Sequence, residues 1–599
     1  MTVLADTSFD FASLQAAFAS GYSAADAVEE AYRRIALAND PGIFIHLRRK
    51  EDVLAEAHAL PPFDPERFPL WGLPFAIKDN IDLAGVPTTA ACPAFAYTAE
   101  ADSFVVNLLR KAGAIPVGKT NLDQFATGLV GVRTPYPVPK NALDPAIVPG
   151  GSSSGSAVAV ARGLVSFALG TDTAGSGRVP AALNNIVGLK PTLGALSATG
   201  VVPACRTLDT ISIFALTVPD AWRVFSAAAR YDDADGYSKR VVAPRMGAAE
   251  SALRVGVPSA ATRQFFGDTV QEQAFADTLA RLSYLGATLV ELDFKPFFDV
   301  AAMLYEGAWV AERMAAVETF MRERPDEIHP VTRQIIGAAN RLSAADAFRG
   351  IYRLADLRRS AEGLMTGIDL LCVPTIPTFY TLADLEADPV TPNSRLGTYT
   401  NFVNLMDLCG IAVPTGLRAD GRPSGVTLLA RAGQDARAAA VAKGLHEDAL
   451  PMLGATQLQV RPGDLGNPRP DPDECVIAVV GAHMSGLPLN HMLTELGGWF
   501  LESARTAADY RLYALPGGPP QRPGLLRSAS GSTIALELWA LPLRGLGPLL
   551  ASVPGPLSIG SVTLSDDRCV KGFLMEAHAA EASDDITHFG GWRAYLASR

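Results

Sequence analysis

Two clusters of glycine and serine residues, 150–156 and 171–178, hold the side chains in this sequence that are best suited to chemistry. Glycine has no Cβ, so the backbone beside it can approach a substrate closely and expose a neighbouring hydroxyl. In the second cluster, successive backbone N–H groups at 173–176 could converge on an oxyanion. Each cluster also has a purely structural interpretation, because serines at 152–154 are typical N-caps for the helix-favouring run 157–161, and glycine-rich turns are common.

A third reactive group, Lys78, ends the apolar run 73–77 and is followed by Asp79. Lysine acts as a base only when it is neutral, so its ordinary pKa of about 10.4 must be lowered by burial. The alternative is an ordinary surface charge. Lys119, which follows another apolar run, is the second candidate for the base.

These residues together carry a resemblance to a known family. The run 71–192 resembles the signature of the amidase signature enzymes, in which a Ser-Ser-Lys triad hydrolyses amides, and a weaker likeness continues to about residue 430. The resemblance implies that Ser176 is the nucleophile, Ser152 the bridging serine and Lys78 the base. It also implies nucleophilic acyl transfer, in which Lys78 takes a proton from Ser152 while Ser152 takes one from Ser176.

The turn that ends at the nucleophile is predicted to stabilise the oxyanion through the backbone N–H groups of Thr173, Ala174, Gly175 and Ser176. Two residues here depart from the family pattern: Ala174 stands where the family usually has glycine, and Gly177 where it often has a branched residue. Neither departure removes a catalytic group, but both change the shape of the turn.

Residues near the nucleophile are predicted to support it or to contact the substrate. Asp172 and Arg178 flank Ser176, and we expect them to brace its turn by hydrogen bonds. The segment 121–128 resembles the pocket-lining segment of the family, in which Gly128 would let the backbone approach the substrate. A plain turn is the alternative for this segment.

The apolar spacing and alanine content of 299–321 predict a helix that carries Tyr305 and Arg313. Their separation of eight residues allows both side chains to point towards one side of that helix. A surface arginine beside a core tyrosine is the ordinary interpretation. In the allophanate hydrolase branch of the family, however, a tyrosine and an arginine at matching positions hold the carboxylate of a small urea-derived substrate.

The tail, 475–599, contains a histidine between glycines, His483, after the predicted strand 476–480. This part resembles the C-terminal domain of allophanate hydrolases, which is similar to the γ-glutamylcyclotransferase fold. The resemblance makes the tail a candidate for decarboxylating the N-carboxycarbamate that remains after ammonia release. His483 is the candidate for proton transfer, because imidazole titrates near neutral pH, and Glu537 is a candidate partner. An ordinary loop histidine and an assembly role for the tail are the alternatives.

The pattern of apolar and proline residues changes along the chain, and these changes predict the domains that position the candidate residues. Short apolar strands that alternate with helices predict an α/β fold, here an amidase signature domain at 1–455 with a mixed central sheet covered by helices. At its start, 14–38 reads as a helix pair broken near Gly21. A Pro-rich linker is predicted at 456–473, and a smaller α+β domain rich in antiparallel strands at 474–599.

Composition excludes several other classes of function. The net charge of −11 and the absence of a Lys/Arg-rich run argue against nucleic acid or an anionic membrane as partner. Charged residues interrupt every apolar run before it reaches the length of a membrane span, and residues 1–6 lack the features of a signal peptide, so a cytoplasmic location is predicted. The six scattered cysteines predict buried free thiols, and we expect neither a metal nor a cofactor.

The resemblance as a whole implies a hydrolase that cleaves the terminal amide of allophanate (urea-1-carboxylate) and releases ammonia, within urea or s-triazine nitrogen catabolism. It further implies a homodimer and an association with urea carboxylase. Another amidase of the family, or the amidase subunit of a tRNA-dependent amidotransferase, is the alternative enzyme, but neither predicts the tail. A non-catalytic assembly scaffold is a different class of alternative, which an intact Ser176, Ser152 and Lys78 disfavours.

Overall fold

The computed structural model describes residues 4–240, 245–250, 253–450, 452–458 and 469–599. The chain forms two compact units, of which the first comprises Met1–Ala243, Val255–Leu285 and Leu289–Leu465. The second comprises Gly466–Arg599 together with two short earlier segments, Pro244–Arg254 and Gly286–Thr288, which the sequence patterns did not assign to it. Most of the predicted linker, 459–468, lies outside the described residues.

The first unit is built on strands that the sequence reads as short apolar runs. Their bounds are β1 (Phe44–Leu47), β2 (Pro74–Lys78), β3 (Pro87–Thr88), β4 (Tyr97–Thr98), β5 (Ile115–Thr120), β6 (Phe167–Asp172), β7 (Val187–Lys190), β8 (Thr210–Ala215), β9 (Arg254–Pro258), β10 (Thr288–Leu292), β11 (Leu370–Pro374), β12 (Leu408–Leu417) and β13 (Pro423–Arg431). Strands β2, β5 and β6 are buried at every residue, which explains why they are continuous apolar runs rather than alternating ones.

Within the described residues, eleven of these strands form one sheet in the order β1-β5-β2-β6-β8-β7-β12-β13-β11-β9-β10, while β3 and β4 form a separate ribbon. β2 runs parallel to both β5 and β6, whereas β6, β8, β7, β12 and β13 pair antiparallel in turn. The predicted mixed central sheet is thus confirmed. Because β2 and β6 are parallel neighbours, their carboxyl ends lie at the same edge, where Lys78 and the second serine-rich turn follow.

Helices of the first unit cover this sheet, for example α5 against β6 and α16 against β12. Their bounds are α1 (Phe11–Ala19), α2 (Ala24–Ala38), α3 (Lys50–His58), α4 (Phe104–Lys111), α5 (Ser154–Ala161), α6 (Val179–Leu183), α7 (Val218–Ala228), α8 (Thr269–Tyr284), α9 (Lys295–Glu306), α10 (Trp309–Glu323), α11 (Pro330–Gly337), α12 (Ala344–Leu364), α13 (Leu382–Ala387), α14 (Thr391–Leu396), α15 (Asn401–Leu405) and α16 (Asp435–Ala449). The predicted break between the first two helices is confirmed, with Gly21 at φ +107°.

The second unit is an α+β fold with its own apolar core around Trp539 and Trp592. Its strands and helices are β14 (Glu474–Val479), α17 (Asn490–Glu495), β15 (Trp499–Arg505), β16 (Tyr510–Ala514), β17 (Pro523–Arg527), β18 (Ala535–Pro542), α18 (Leu543–Ser552), β19 (Leu557–Thr563), β20 (Cys569–Met575), β21 (Asp584–Asp585) and α19 (Trp592–Ala597). One sheet has the order β15-β18-β14-β20-β19 and a second the order β17-β16-β21. Among the described strand pairs of this unit, β14 and β20 alone run parallel, as expected for a domain rich in antiparallel strands.

Other sequence expectations concern single residues or segments. All six cysteines are free thiols, of which Cys92, Cys205, Cys372 and Cys409 are buried, whereas Cys569 is exposed, contrary to the expectation of burial. Across the described ranges, no helix combines the length and the apolar character that crossing a bilayer requires. The same residues hold no group of three or more His, Cys, Asp or Glu side chains placed to bind a metal ion.

Candidate active site

Lys78 lies buried at the carboxyl end of β2 and contacts two hydroxyl groups. Its Nζ donates to Ser152 Oγ at 2.7 Å and to Thr171 Oγ1 at 2.7 Å. Thr171 belongs to β6, the parallel neighbour of β2, so the sheet register itself brings this hydroxyl to the lysine. No sequence pattern singled out Thr171, although it lies within the second of the two serine-rich clusters.

The environment of Lys78 favours the neutral amine. Burial lowers the pKa of Lys78 to about 7, even though the carboxylates of Asp123, Asp209 and Asp172 act in the opposite direction. At pH 7 a large fraction of this lysine is therefore unprotonated and able to accept a proton from Ser152.

The serines of the first cluster do not cap the helix that follows them. Ser153 occupies the N-cap position of α5, which begins at Ser154, but its side chain makes no capping hydrogen bond. Instead, Ser153 Oγ donates to the carbonyl of Thr171 at 3.3 Å and Ser154 Oγ to that of Asn121 at 3.4 Å. The capping interpretation is therefore wrong for this cluster, whose hydroxyls face β6 and the loop after β5.

Ser176 lies in the turn after β6, and its side chain is buried beside Gly128. Its Oγ donates to the Gly128 carbonyl at 3.5 Å, so the predicted nucleophile and the predicted substrate-contacting glycine are neighbours. Among the described residues, no hydrogen bond joins the hydroxyls of Ser176 and Ser152. Catalytic hydrogen bonds are often long in a ligand-free site and tighten when substrate binds.

The turn that holds Ser176 is braced by a buried ion pair, as the sequence predicted. Arg178 donates to both carboxylate oxygens of Asp172, each at 2.9 Å. Although burial acts to raise it, the guanidinium holds the pKa of Asp172 below its usual value. The same carboxylate accepts hydrogen bonds from the backbone N–H groups of Gly175 and Gly177 at 2.9 and 3.0 Å. The carboxylate of Asp172 therefore holds both sides of the turn at Ser176.

The hydrogen bonds of this turn reduce the number of predicted N–H donors that are available to an oxyanion. The N–H of Gly175 is already engaged by Asp172, which differs from the expectation that it would face the substrate. The N–H groups of Thr173, Ala174 and Ser176 donate to no acceptor in the part of the chain that the structure describes. Three donors rather than four are therefore free to stabilise an oxyanion.

Lys119, the alternative base, is placed differently. Its Nζ lies 3.1 Å from Asp79 Oδ1 and donates to Thr88 Oγ1 at 2.9 Å, and neither atom belongs to a serine of the two clusters. Burial lowers the pKa of Lys119, but the adjacent carboxylate of Asp79 opposes that effect because it favours the protonated form. The geometry therefore favours Lys78 over Lys119.

The predicted single helix at 299–321 is wrong, because α9 ends at Glu306 and α10 begins at Trp309, with Gly307 in an extended conformation between them. The two predicted binding residues nevertheless meet across this break. The guanidinium carbon of Arg313 lies 5.5 Å from the centre of the Tyr305 ring. Tyr305 on α9 and Arg313 on α10 are therefore brought together by two helices rather than by two positions on a single helix.

Arg313 is 2% exposed and has few partners. Its Nη1 donates to Thr127 Oγ1 at 3.3 Å, and its Nε is buried without a hydrogen bond. No carboxylate pairs with it among the described residues. Thr127 directly precedes Gly128, so the chain connects this unpaired cation to the carbonyl beside Ser176.

Comparison with known proteins places this arrangement in a family. Residues 26–438 match the amidase family model. The chain belongs to the amidase family. Residues 475–597 match the model of the allophanate hydrolase C-terminal domain, so this amidase-family chain carries in its tail the domain that the sequence resemblance indicated.

Three known proteins define the likeness further. Urea amidolyase of Saccharomyces cerevisiae is 44% identical over 570 residues, or 92% of this chain and 31% of that protein. The crystal structure of Kluyveromyces lactis allophanate hydrolase has a TM-score of 0.78 and 40% identity, covering 98% of each chain. A glutamyl-tRNA(Gln) amidotransferase subunit of Nitratidesulfovibrio vulgaris is 34% identical over 72% of this chain and 94% of that protein. The chain spans about a third of the length of the curated urea amidolyases that it matches.

In the tail of this amidase-family chain, His483 lines a cavity of about 100 Å³. Its ring stacks on Phe573 with centres 4.7 Å apart, and its Nε2 is buried without a hydrogen bond. Burial, with a contribution from Arg522, lowers the pKa of His483 to about 4. This differs from the expectation of a group that titrates near neutral pH, because burial disfavours the charged imidazolium.

Glu537 is not the partner of His483 that the sequence suggested. Its Oε2 accepts from the backbone N–H and the hydroxyl of Ser485, at 2.7 and 2.9 Å, and Oε1 accepts from Arg593 at 2.8 Å. Glu537 therefore holds the loop that carries His483, through Ser485, rather than contacting the imidazole. Because these partners satisfy both carboxylate oxygens, Glu537 can be completely buried inside β18.

Proposed function

We propose that this chain hydrolyses allophanate and releases ammonia from its terminal amide. The observation that carries the proposal is the buried guanidinium of Arg313, which forms no ion pair with a carboxylate among the described residues and is linked through Thr127 and Gly128 to the hydroxyl of Ser176. Leaving an arginine buried without a counter-ion is costly, so this position is suited to an anionic substrate. Allophanate has one carboxylate and one primary amide, and a single site can hold the first while cleaving the second.

The first step is attack by Ser176 on the terminal amide carbon. Neutral Lys78 accepts the proton of Ser152, and Ser152 accepts that of Ser176, which makes the Ser176 oxygen nucleophilic. The carbonyl oxygen becomes an oxyanion that the N–H groups of Thr173, Ala174 and Ser176 stabilise. Collapse of this intermediate breaks the C–N bond, and the relay returns a proton to the departing nitrogen, which leaves as ammonia.

The second step is hydrolysis of the acyl-enzyme on Ser176. A water molecule gives a proton to the relay of Ser152 and Lys78 and attacks the acyl carbon. Breaking the bond to Ser176 Oγ, which recovers a proton, yields N-carboxycarbamate, a species with two carboxylates. Arg313 and the hydroxyl of Tyr305 hold the original carboxylate throughout, because a guanidinium suits the fork geometry of that group.

We also propose that the tail decarboxylates this product at the cavity that contains His483. His483 is neutral near pH 7, since burial lowers its pKa to about 4. A bound dianion would raise that pKa, because a nearby negative charge favours the imidazolium. The imidazole could then transfer a proton to the nitrogen of the substrate.

We further propose a homodimer that works together with a urea carboxylase activity. Exposed apolar side chains at Phe348, Ile351 and Tyr352 follow helical spacing on α12 and offer a face to a second copy. The curated urea amidolyases continue well beyond the part that this chain matches, so a companion activity is expected there. Sedimentation velocity tests the dimer, and a monomer at assay concentration contradicts it. The cytoplasmic location stays a prediction.

A tRNA-dependent amidotransferase component is the second candidate, because one glutamyl-tRNA(Gln) amidotransferase subunit matches 72% of this chain. That function does not call for the domain at 475–597 or for a buried arginine that forms no ion pair among the described residues. Amides that differ in charge separate the candidates, because allophanate has a carboxylate for Arg313 to bind whereas a neutral amide has none.

A substrate panel tests the proposal. Ammonia release by the purified chain should be much faster with allophanate than with biuret or malonamide, and Ser176→Ala should abolish it with all three. Arg313→Gln should lower kcat/KM for allophanate by about tenfold or more, the loss expected for one charge-assisted hydrogen bond, and affect malonamide far less. Arg322→Gln, an exposed residue of the same helix, is the matched control. An equal loss of kcat/KM for allophanate and malonamide in Arg313→Gln would assign that residue a structural role only.

A further inference from the structure

A short segment of the amidase unit, 204–209, contacts both the turn 173–176 and helix α10. We call it the connecting segment. It directly precedes β8, and β8 pairs antiparallel with β6 in a register that places Thr210 opposite Asp172. Because antiparallel neighbours run in opposite directions, the residues before β8 lie at the end of β6 where the turn 173–176 begins.

The carboxylate of Asp209 joins the connecting segment to this turn. It accepts a hydrogen bond from the hydroxyl of Thr173, whose N–H is one of the three proposed oxyanion donors. The same carboxylate accepts hydrogen bonds from the backbone N–H groups of Ala204 at 2.7 Å and Cys205 at 3.1 Å. One anion thus holds the first residue of the turn and the beginning of the connecting segment.

Asn404, which is fully buried, makes a second connection between the same two parts. Its amide donates to the carbonyl of Asp172 at 2.8 Å and to the carbonyl of Leu208 at 2.9 Å. Leu208 and Ala174, another proposed oxyanion donor, also belong to one buried apolar cluster. Polar and apolar contacts therefore fix the connecting segment against the turn.

The other side of the connecting segment contacts the start of α10. The carboxylate of Glu312 accepts hydrogen bonds from the N–H of Thr207 at 2.6 Å and from its hydroxyl at 2.8 Å. The thiol of Cys205 donates to the carbonyl of Trp309 at 3.5 Å. Glu312 directly precedes Arg313, so these contacts hold the turn of helix that carries the proposed carboxylate-binding residue.

We propose that Asp209 and Glu312 are positioning residues and that the connecting segment sets the distance between the oxyanion donors and Arg313. The inference rests on the proposed function, in which Arg313 binds the carboxylate of the substrate while the turn 173–176 binds the oxyanion. With both groups held, the site selects amides by length. It accepts a carboxylate separated from the amide carbon by one atom, as in allophanate, and disfavours a longer separation.

Malonamate and succinamate test this selection, because both carry one carboxylate and one primary amide and they differ by one methylene between the two groups. Malonamate matches allophanate, with a methylene in place of the NH. In the wild type, kcat/KM for ammonia release should be higher for malonamate than for succinamate by about tenfold or more, as one methylene can provide. The ratio of these two values, measured on one sample, does not depend on the fraction of protein that is folded.

Two variants loosen the connecting segment from opposite sides. Glu312→Ala removes both hydrogen bonds to Thr207, and Asp209→Asn replaces one acceptor oxygen by an NH₂ group that faces other donors. Each should lower the ratio of malonamate to succinamate by about threefold or more, because the contact that fixes the distance is weakened. The main effect should be on kcat, since the oxyanion forms only in the transition state.

Glu312→Gln separates position from charge. Its amide oxygen can accept from the N–H of Thr207 and its NH₂ group can donate to the hydroxyl, so this variant should recover most of the ratio. Glu318→Ala is the matched control, because Glu318 is an exposed glutamate of the same helix, and it should keep the wild-type ratio.

A wild-type ratio near one, or an unchanged ratio in Glu312→Ala or in Asp209→Asn, would overturn the inference. Equal losses in Glu312→Ala and Glu312→Gln would assign the effect to the charge beside Arg313 and would overturn it as well. A wild type that releases no ammonia from allophanate or from either probe would instead contradict the proposed function, and the inference with it.

Discussion

At the scale of single residues, the partners of the amine distinguish Lys78, the proposed base, from the equally buried Lys119. Lys78 and Lys119 lie on the paired strands β2 and β5, and both are fully buried. Lys119 has a carboxylate at 3.1 Å, whereas Lys78 contacts only hydroxyl oxygens at its Nζ. A buried ammonium without a direct counter-ion loses its proton readily.

This difference predicts the pH dependence of hydrolysis. Because the base must be unprotonated and the pKa of Lys78 is about 7, kcat/KM should rise with pH, reach half its maximum near pH 7 and level off above it. Lys78→Met should lose activity by about two orders of magnitude or more. Lys119→Gln should keep the midpoint of the profile, although its stability falls. A midpoint that moves in Lys119→Gln and persists in Lys78→Met would assign the base to Lys119 instead.

The sequence indicated which residue types could react, but not the contacts that select among them. Ser176, Ser152 and Lys78 stand in recognisable local settings, so pattern and resemblance were enough to name them. Thr171 and Asp123 reach Lys78 only through sheet register and long-range packing, which no local pattern reports. The engagement of the Gly175 N–H depends on how the turn closes around Asp172, again a tertiary property.

At the scale of elements, regular runs were predicted well and interruptions were not. The predicted strand 476–480 matches β14 (Glu474–Val479) within two residues at each end, and the predicted helix pair 14–38 corresponds to α1 (Phe11–Ala19) and α2 (Ala24–Ala38). The break between α9 and α10 was missed because apolar spacing continues through Gly307, and glycine alone does not end a helix. Tertiary packing, not periodicity, separates these two helices.

One element carries a pH-dependent contribution to stability. His446 on α16 is fully buried, neither ring nitrogen has a hydrogen bond, and burial lowers its pKa to about 4. Unfolding exposes an ordinary histidine with a pKa near 6.5, so the unfolded state takes up a proton between pH 6.5 and 4 while the folded state does not. Stability is therefore complete above about pH 6.5 and falls as the pH is lowered.

We expect the buried, neutral His446 to lower the free energy of unfolding by about 2 kcal/mol at pH 5 relative to pH 8. His446→Leu should remove this part of the pH dependence. The measurement is urea unfolding of both proteins at the two pH values, monitored by a probe in the amidase unit. His578→Leu, an exposed histidine, is the control. An equal loss of stability in wild type and His446→Leu between pH 8 and pH 5 would show that His446 is solvated or partnered in solution.

At the scale of the whole molecule, the chain combines two compact units, for each of which we propose a separate reaction. In the first unit the hydroxyl of Ser176 donates to the carbonyl of Gly128, and in the second His483 and Arg522 line one cavity. Resemblance predicted both domains, but the sequence did not show that 244–254 joins the second unit, since this segment lies more than two hundred residues before the tail. Long-range membership of this kind has no local signature.

We expect the product of the amidase unit to reach the tail of another chain through solution. Ser176→Ala should release no ammonia from allophanate, and His483→Gln should release the first ammonia while N-carboxycarbamate accumulates. A mixture of the two variants should restore carbon dioxide production after a lag, because the dianion made by one chain can enter the tail cavity of another. Carbon-13 NMR with labelled allophanate follows each species, and wild type at the same total concentration is the control. Carbon dioxide formed by His483→Gln alone at the wild-type rate would mean that decarboxylation is spontaneous and that the tail has an assembly role.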